Sequence, residues 1–310
     1  MIVNARDTQI GNPLRVLVTG ANGQLGATIV RVFSDADVIA HTRSSLDITD
    51  TAAVGRVVHD TSPDVIVNCA AFNDVDGAES APGDALAVNA FALRGLARAA
   101  RERRASLVHY STDFVFDGWA GEPYTEAARP GPQSTYAASK LLGEWFALDS
   151  PRAFVLRVES LFGSPRSWTG RRGTLDGIVA GLESGREVRA FIDRVVSPSY
   201  TVDVARATRH LLETNAAGGL YHCVNDGYAS WFDVATEVAA LLGVAPSIEP
   251  LTMEQVQSKA ARPRFCALSP EKLRAAGFAM PPWQDALRRW LTARAAPAAQ
   301  GAGELLDPLE

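Results

Sequence analysis

A short apolar strand that runs directly into three spaced glycines and then into a helix constrains this sequence most. The segment reads RVLVTGANGQLG over residues 15–26. Gly20 permits a tight turn, Gly23 lets backbone amides approach a ligand closely, and Gly26 lets the helix pack closely on the sheet. Because a helix N-terminus binds phosphate, this turn predicts a dinucleotide pyrophosphate site. The expected cofactor-binding residues of the turn are Gly20, Asn22, Gly23, Gln24, Leu25 and Gly26.

Short β-branched runs alternate with helical segments along the first half of the chain, a pattern typical of a parallel sheet covered by helices. The runs VLVT and DVIVNC are apolar at nearly every position, as expected when both faces of a sheet are covered. We therefore predict an α/β fold, a doubly wound parallel sheet of the Rossmann type with a smaller C-terminal substrate-binding lobe. The predicted strands of this half are Arg15–Thr19, Asp37–Ala40, Asp64–Cys69, Ser106–Ser111 and Ala153–Val158. The predicted helices are Gly23–Ser34, Asp50–Asp60, Pro82–Arg104 and Thr135–Leu148.

The regularity weakens after Gly163, where a polar loop reads SPRSWTGRRG. We predict a dinucleotide-binding domain over 12–164, completed by about 194–225, and a substrate-binding lobe over 165–193 and 226–292. The tail 293–310 is poor in large apolar residues and is expected to be flexible. The later predicted elements are helices Thr174–Ser184, Val202–Thr214 and Trp231–Leu242, strands Val188–Asp193 and Tyr221–Asn225, and a proline-rich region up to Trp290.

The composition excludes several classes of protein. A formal charge of −5 gives no positive field for nucleic acid, and no apolar run is long enough for a membrane span. The start of the chain lacks the pattern of a secretion signal. Three cysteines and five histidines are spaced in no metal-ligand pattern, so they indicate neither a zinc site nor a disulfide framework, and no metal ligand is assigned. Whether Mg²⁺ is bound stays open. These features predict a cytoplasmic protein.

The second strand ends without the acidic residue that commonly binds the adenosine ribose. The chain reads VIAHTRSS there, with Arg43 in the corresponding place. Since a guanidinium can pair with a ribose 2′-phosphate, we predict that NADPH is preferred and that NADH is the less favoured cofactor.

A candidate catalytic group comprises Tyr136, Lys140 and Thr112. Tyr136 and Lys140 lie four residues apart on a predicted helix and therefore share one face. An ammonium beside a tyrosine stabilises the phenolate and lowers its pKa, which suits a general acid. Thr112 follows the fourth predicted strand, at the sheet edge where ligands bind in such folds, and its hydroxyl could bind a substrate carbonyl.

These segments together resemble the extended short-chain dehydrogenase/reductases, and among them the dTDP-4-dehydrorhamnose reductases, over roughly residues 14 to 290. The resemblance rests on VTGANGQLG, LDITD, PDVIVNCAAFNDVDGAES, AVNA, HYSTDFVFDG and YAASKLLGE, in the family's order. It implies NADPH-dependent reduction of the C4 ketone of a dTDP-linked 4-keto-6-deoxyhexose, with Thr112, Tyr136 and Lys140 as the catalytic residues. It also implies that Asp47 and Ile48 lie near adenine, that Ala70, Ala71 and Phe72 flank the cofactor, and that Val75 and Asp113 face the sugar nucleotide.

Two departures from the family pattern concern the sugar pocket. The family's TSWVYG reads VESLFG here, so Ser160 stands where a tryptophan packs on the sugar. The pattern RPxNSxL reads RPRFCAL, which keeps Arg262 as a candidate ligand of the substrate diphosphate, with Arg264 as a second one. Both rhamnose and a deoxysugar of secondary metabolism therefore stay open as the product.

Two other functions stay open. A sugar-nucleotide dehydratase often carries an Asp–Glu pair after its catalytic threonine, whereas Phe114 follows Asp113 here, which argues against that activity and leaves an epimerase as the related alternative. The regulatory β subunit of methionine adenosyltransferase resembles the same family, so a catalytically silent NADP-binding subunit is the other alternative. The complete Thr112, Tyr136 and Lys140 set disfavours it. The sequence is compatible with a homodimer but does not decide the oligomeric state.

Overall fold

The computed structural model describes residues 13–163 and 173–296. In chain order its strands are β1 (Arg15–Thr19), β2 (Asp37–His41), β3 (Val65–Asn68), β4 (Ser106–Thr112), β5 (Ala153–Val158), β6 (Leu161–Phe162), β7 (Val188–Phe191), β8 (Val195–Val196), β9 (Ser199–Tyr200), β10 (Gly219–His222), β11 (Ala229–Ser230) and β12 (Ile248–Leu251). The predicted loop SPRSWTGRRG lies outside the described residues except for Gly173, and so does the predicted tail after residue 296.

The helices alternate with the strands of the first half. They are α1 (Gln24–Val32), α2 (Thr51–Thr61), α3 (Val75–Ser80), α4 (Pro82–Leu86), α5 (Ala92–Arg103), α6 (Thr135–Leu148), α7 (Thr174–Glu183), α8 (Thr201–Glu213), α9 (Trp231–Leu242), α10 (Glu271–Ala275) and α11 (Trp283–Ala295). A π-helical turn, Ala87–Phe91, joins α4 to α5. None of the helices in the described ranges is both long enough and apolar enough to cross a membrane.

Six parallel strands form the central sheet, in the order β10-β5-β4-β3-β1-β2. The chain leaves β1 toward β2 on one side and returns to β3 on the other, so the direction of winding reverses between β1 and β3. Ligands of doubly wound sheets bind at the carboxyl ends of the strands beside this point. The predicted fold class is confirmed.

Strand residues alternate between two apolar cores, one on each face of the sheet. Val16 and Val18 pack with α1 and α8, whereas Leu17 packs on the opposite face with α2 and α5. Capping explains where the helices begin: Asp50 accepts from two amides at the start of α2, and Ser134 accepts from Ala137 N at the start of α6.

A separate apolar core lies in the second half of the chain, where Trp231, Trp283 and Trp290 pack with α7, α9 and α11. The region up to Trp290, for which the sequence indicated only many prolines, contains β12, α10 and α11. Helix α11 continues to Ala295, so the first residues of the predicted tail are helical. Leu273 and Met280, which we expected in the substrate lobe, pack instead in the core formed by the sheet, α1 and α8. Helix α10, which carries Leu273, lies against the outer strand β10 of the sheet.

Candidate functional site

The glycine turn after β1 has the geometry of a phosphate cradle. Gly20 has a φ of 67°, and a Cβ on it would lie 2.6 Å from the backbone nitrogen of Ala70. A Cβ on Gly26 would lie 2.2 Å from the carbonyl oxygen of Gly20. Gly23 is the N-cap of α1 and offers no side-chain acceptor to the first helical amides. Those amides point toward the carboxyl edge of the sheet without an acceptor from the cap, which suits a pyrophosphate.

The segment after β2 lies beside this turn, because Ala21 N donates to the carbonyl oxygen of His41 at 3.0 Å. Arg43 follows two residues later and is exposed to solvent. Hydroxyl groups flank it on both sides: Thr42 Oγ1 and Ser44 Oγ lie 2.8 Å apart. A guanidinium with neighbouring hydroxyls suits a phosphate group, so the placement of Arg43 is compatible with its predicted role.

The two residues predicted to lie near adenine, Asp47 and Ile48, differ in the exposure of their side chains. The side chain of Ile48 is buried in the core with α2 and α5, and its position near adenine stays a prediction. Asp47 is exposed, and hydrogen bonds from the backbone and hydroxyl of Thr49 lower the pKa of its carboxyl, with Arg43 acting in the same direction.

The loop after β3, with Ala70, Ala71 and Phe72, is held by an asparagine that the sequence analysis missed. Asn89 Oδ1 accepts from Phe72 N at 2.8 Å, and Asn89 Nδ2 donates to Phe72 O at 3.0 Å. The same amide donates to Ser139 Oγ on α6. Asn89 lies in the π-helical turn and therefore joins the predicted cofactor loop to the helix that carries Tyr136. The sequence signal for this role was a polar asparagine within the otherwise apolar helical run AVNAF.

Helix α6 places Tyr136 in its first turn and Lys140 one turn later, and both side chains are buried. Glu79 of α3 accepts from the backbone nitrogen of Thr135 at 2.7 Å and from its hydroxyl at 2.9 Å. A carboxylate at a helix N-terminus interacts favourably with the exposed amides. Glu79, also missed from the sequence, thus fixes the turn that presents Tyr136.

The charges around Tyr136 differ from the sequence expectation. Burial raises the pKa of Tyr136, the carboxylate of Asp113 raises it further, and the neighbouring Thr112 hydroxyl works in the opposite direction. Lys140 does not act on it: its ammonium donates to the carbonyl oxygen of Tyr110 at 2.5 Å. The expected lowering of the Tyr136 pKa by Lys140 is therefore not what this structure presents. Burial lowers the pKa of Lys140 to about 8.

Thr112 ends β4 and lies between Tyr136 and an acidic neighbour. Its hydroxyl donates to Asp113 Oδ1 at 2.9 Å and accepts from Phe114 N at 3.2 Å. The ring of Phe114 packs edge-on against Tyr136 with centroids 5.7 Å apart. The structure therefore brings together the three residues predicted to be catalytic at the carboxyl edge of the sheet.

Asp113 lies beside a second acidic residue that is distant from it in the sequence. Phe114 is its neighbour in the chain, but Glu159, which follows β5, lies next to it in space, with Cys266 as the third member of the cluster. Oxygen and sulfur atoms of the three side chains lie within 4.8 Å of one another. Phe114 still follows Asp113 in the chain, and the second acid of the cluster comes from the end of the neighbouring strand β5.

The remaining predicted substrate residues lie in different settings. Val75 begins α3 and packs beside Tyr136 and Phe72. Ser160 adopts a left-handed φ of 45°, which strains any larger side chain at that position. Arg262 Nη2 lies 2.7 Å from Asp76 Oδ2 in an ion pair that joins α3 to the C-terminal segment. Part of its donor set is therefore already engaged, and a contact with the substrate diphosphate stays a prediction.

A glycine cradle after β1, a doubly wound parallel sheet, and a tyrosine and lysine one turn apart on the helix that follows β4 define a short-chain dehydrogenase/reductase. Within this class, the family described as "RmlD substrate binding domain" matches residues 14–295, and the chain belongs to it. The predicted family membership is confirmed.

Three relatives illustrate this membership. A dTDP-4-dehydrorhamnose reductase of Mycobacterium tuberculosis is 38% identical over 301 residues, which cover 93% of this chain and 95% of the relative. A dTDP-4-keto-6-deoxy-D-glucose reductase of Streptomyces niveus is 35% identical over 285 residues, 90% of this chain and 94% of the relative. The crystal structure of a dTDP-4-dehydrorhamnose reductase from Bacillus anthracis in complex with NADP superposes with a TM-score of 0.85 at 31% identity, covering 91% of this chain and 99% of that chain.

Proposed function

We propose that this protein reduces the C4 ketone of a dTDP-linked 4-keto-6-deoxyhexose with NADPH. The observation that carries the proposal is the burial of Tyr136 and Lys140 beside Thr112, at the sheet edge that the glycine cradle also faces. The relatives from Mycobacterium tuberculosis and Streptomyces niveus, both named as reductases of dTDP-linked sugars, support it.

The residues around the cradle fit NADPH. The amides that follow Gly23 would bind the pyrophosphate, and Arg43 with the adjacent hydroxyls would bind the 2′-phosphate. Asn89 holds the loop of Ala70 to Phe72 that would lie along the cofactor. The relative from Bacillus anthracis was solved with NADP, which supports the same choice. When bound, the nicotinamide supplies the hydride.

The protein's own groups polarise the ketone and deliver the proton. Thr112 would donate a hydrogen bond to the ketone oxygen and stabilise the charge that develops there. Tyr136 keeps its proton at neutral pH because its pKa is raised, and it would transfer that proton to the oxygen as an alkoxide forms. Lys140, charged below pH of about 8, would bind the nicotinamide ribose.

The reaction is tested by following NADPH oxidation with dTDP-4-keto-6-deoxy-L-lyxo-hexulose and a panel of other dTDP-4-keto sugars. We expect turnover by the native protein and a loss of at least about 100-fold in kcat for Tyr136→Phe, with NADPH affinity kept. Tyr228→Phe changes an exposed tyrosine and is the matched control. The sugar that reacts fastest identifies the pathway. Tight NADPH binding without turnover of any sugar would instead support the catalytically silent subunit.

Location and assembly also belong to this proposal. Cys69, Cys223 and Cys266 are free thiols, which favours a reducing cytoplasm. A dTDP-linked sugar is the expected partner, and a homodimer stays a prediction that sedimentation or light scattering tests.

A further inference from the structure

Two buried acidic residues lie side by side at the carboxyl ends of adjacent strands, next to the proposed catalytic residues. Thr112 and Val158 are paired across β4 and β5, so the next residues, Asp113 and Glu159, emerge next to each other. Their side chains are only 3% and 2% exposed. This closeness follows from strand register and is not evident from the sequence, in which 45 residues separate the two acids.

Each acid has one oxygen with a partner and one without. Asp113 Oδ1 accepts from Thr112, and Glu159 Oε2 accepts from Ser197 N at 2.8 Å. Asp113 Oδ2 and Glu159 Oε1 are buried, and no group in residues 13–163 or 173–296 meets the geometry of a hydrogen bond to either oxygen. A buried carboxylate oxygen without a donor is costly, and a proton held between the two acids would supply the missing donor.

The charges around Asp113 and Glu159 favour a single proton bound between the two carboxyls. Burial raises the pKa of both carboxyls, and the charge of Asp113 raises that of Glu159 further. Arg194, between β7 and β8, lowers both. The Cys266 thiol, whose own pKa is raised by burial, hydrogen-bonds the Asp113 carboxyl and lowers its pKa, and the neutral Tyr136 also faces Asp113. One positive group facing two carboxyls balances a single negative charge, because close carboxylates in a dry site do not both ionise.

We propose that Asp113 and Glu159 share one proton in the resting protein, and that this proton returns to Tyr136 through the Thr112 hydroxyl after each reduction. The second part rests on the proposed function. In the resting protein the Thr112 hydroxyl donates to Asp113 Oδ1 at 2.9 Å, and the same hydroxyl lies beside Tyr136. Glu159 acts through Asp113 and is thus a positioning residue for the proton, with no contact to the substrate.

The protons balance over one catalytic cycle. In reduction, Tyr136 gives its proton to the sugar oxygen while hydride from NADPH forms the C4–H bond, which leaves a phenolate and NADP⁺. The Thr112 hydroxyl, which donates to Asp113 Oδ1 in the resting protein, turns to the phenolate and gives up its proton. The Asp113 carboxyl rotates at the same time and donates the pair's proton to the Thr112 oxygen, so that the two transfers occur together. The pair then regains one proton from water as product leaves. Each turnover consumes one hydride and one solvent proton.

Infrared spectroscopy tests the shared proton without any substrate. The difference spectrum between the native protein and Glu159→Gln at neutral pH should contain the C=O band of a protonated carboxyl, shifted in D2O. Glu159→Ser, which restores the residue of the family pattern TSWVYG, should lose the same band. Asp203→Asn is the control: this buried carboxylate is paired with Arg289 at 2.7 Å and should leave the band unchanged. Absence of the band from the native protein overturns the proposal.

Kinetics test the return of the proton. Glu159→Gln keeps the single negative charge on Asp113 and removes the exchangeable proton, so a purely electrostatic role predicts an unchanged kcat at neutral pH. We expect a fall of about 10-fold in kcat at constant KM, smaller than the loss for a group that protonates substrate directly, with a larger solvent isotope effect. An unchanged kcat and isotope effect would overturn the return path. If the native protein reduces no sugar, the proposed function and the return path both fail, while the infrared band still decides the shared proton.

Discussion

Burial decides, residue by residue, which titratable groups near the proposed site carry a charge. Lys140 is 3% exposed, and burial lowers the pKa of its ammonium to about 8. If Lys140 binds the nicotinamide ribose in its charged form, NADPH affinity should fall as the pH rises through about 8. Lys140→Met should weaken binding about 10-fold at neutral pH and remove that pH dependence, because one charge-assisted hydrogen bond is lost. Fluorescence titration of NADPH from pH 6 to 10 measures this, and a persisting pH dependence in Lys140→Met would count against the role.

Arg43 is the residue on which the choice between the two nicotinamide cofactors depends. Arg43→Ala should raise the Kd of NADPH by about 10- to 100-fold and leave that of NADH nearly unchanged, since only NADPH carries the 2′-phosphate. Arg98→Ala, an exposed arginine paired with Glu102 on α5, is the control. Equal losses for the two cofactors would remove Arg43 from the 2′-phosphate site.

A buried histidine should make stability depend on pH. Burial, with Arg157 nearby, lowers the pKa of His222 to about 3 from an ordinary 6.5. Between these values the unfolded chain binds the proton and the folded protein does not, so stability falls as the pH drops from about 6.5 toward 3. His222→Gln should reduce that slope by up to about 1.4 kcal/mol per pH unit. Urea unfolding at several pH values measures the slope, with the exposed His59→Gln as control; an unaltered slope in His222→Gln would contradict the assignment.

At the scale of elements, the close approach of α1 to the turn after β1 makes one glycine irreplaceable. A Cβ on Gly26 would lie 2.2 Å from the carbonyl oxygen of Gly20, so the helix would have to move. Gly26→Ala should abolish NADPH binding and destabilise the fold by about 1–3 kcal/mol. Gly55→Ala is the matched control, because a Cβ there meets nothing within 4 Å and alanine stabilises a helix by about 0.5–1 kcal/mol. Thermal unfolding and NADPH titration of both variants measure the contrast, and normal binding by Gly26→Ala would refute the cradle.

Most of the elements could be predicted because local patterns specify them. The strands of the sheet and the helices over 135–148 and 231–242 are apolar at the spacing their structure needs. The proline-rich end of the chain was harder to predict, because α10 spans only five residues and prolines flank α11. Its position against the sheet edge depends on contacts that are distant in sequence.

The candidate site likewise contains some residues that local spacing predicts and others that depend on contacts distant in sequence. The glycine turn, Tyr136 and Lys140 are each recognisable from local spacing. Asn89 and Glu79 act across elements, and Glu159 meets Asp113 only through the register of β4 and β5. Ile48 faces the core, which a position in the LDITD segment could not reveal.

At the scale of the whole molecule, the proposed site is built from the carboxyl edge of the sheet and from the C-terminal segment. The ends of β1, β3, β4 and β5 supply the cradle, the Asn89-held loop, Thr112 and the acid pair. The segment that follows α9 and β12 supplies Cys266 and Arg262, which is tied to α3 through Asp76. A site made by both halves predicts that substrate binding depends on the C-terminal segment, whereas the cradle for NADPH is complete within the sheet half.

Hydride transfer to the sugar carbonyl is the central claim, and isotope transfer tests it directly. NADPH carrying deuterium at the transferred position of the nicotinamide is incubated with the protein and dTDP-4-keto-6-deoxy-L-lyxo-hexulose, and the product is examined by NMR and mass spectrometry. We predict one deuterium at C4 of the sugar, with stoichiometric formation of NADP⁺. A product without deuterium, or a sugar changed at C5 or C6 with no net oxidation of NADPH, would contradict the account and identify an epimerase or dehydratase.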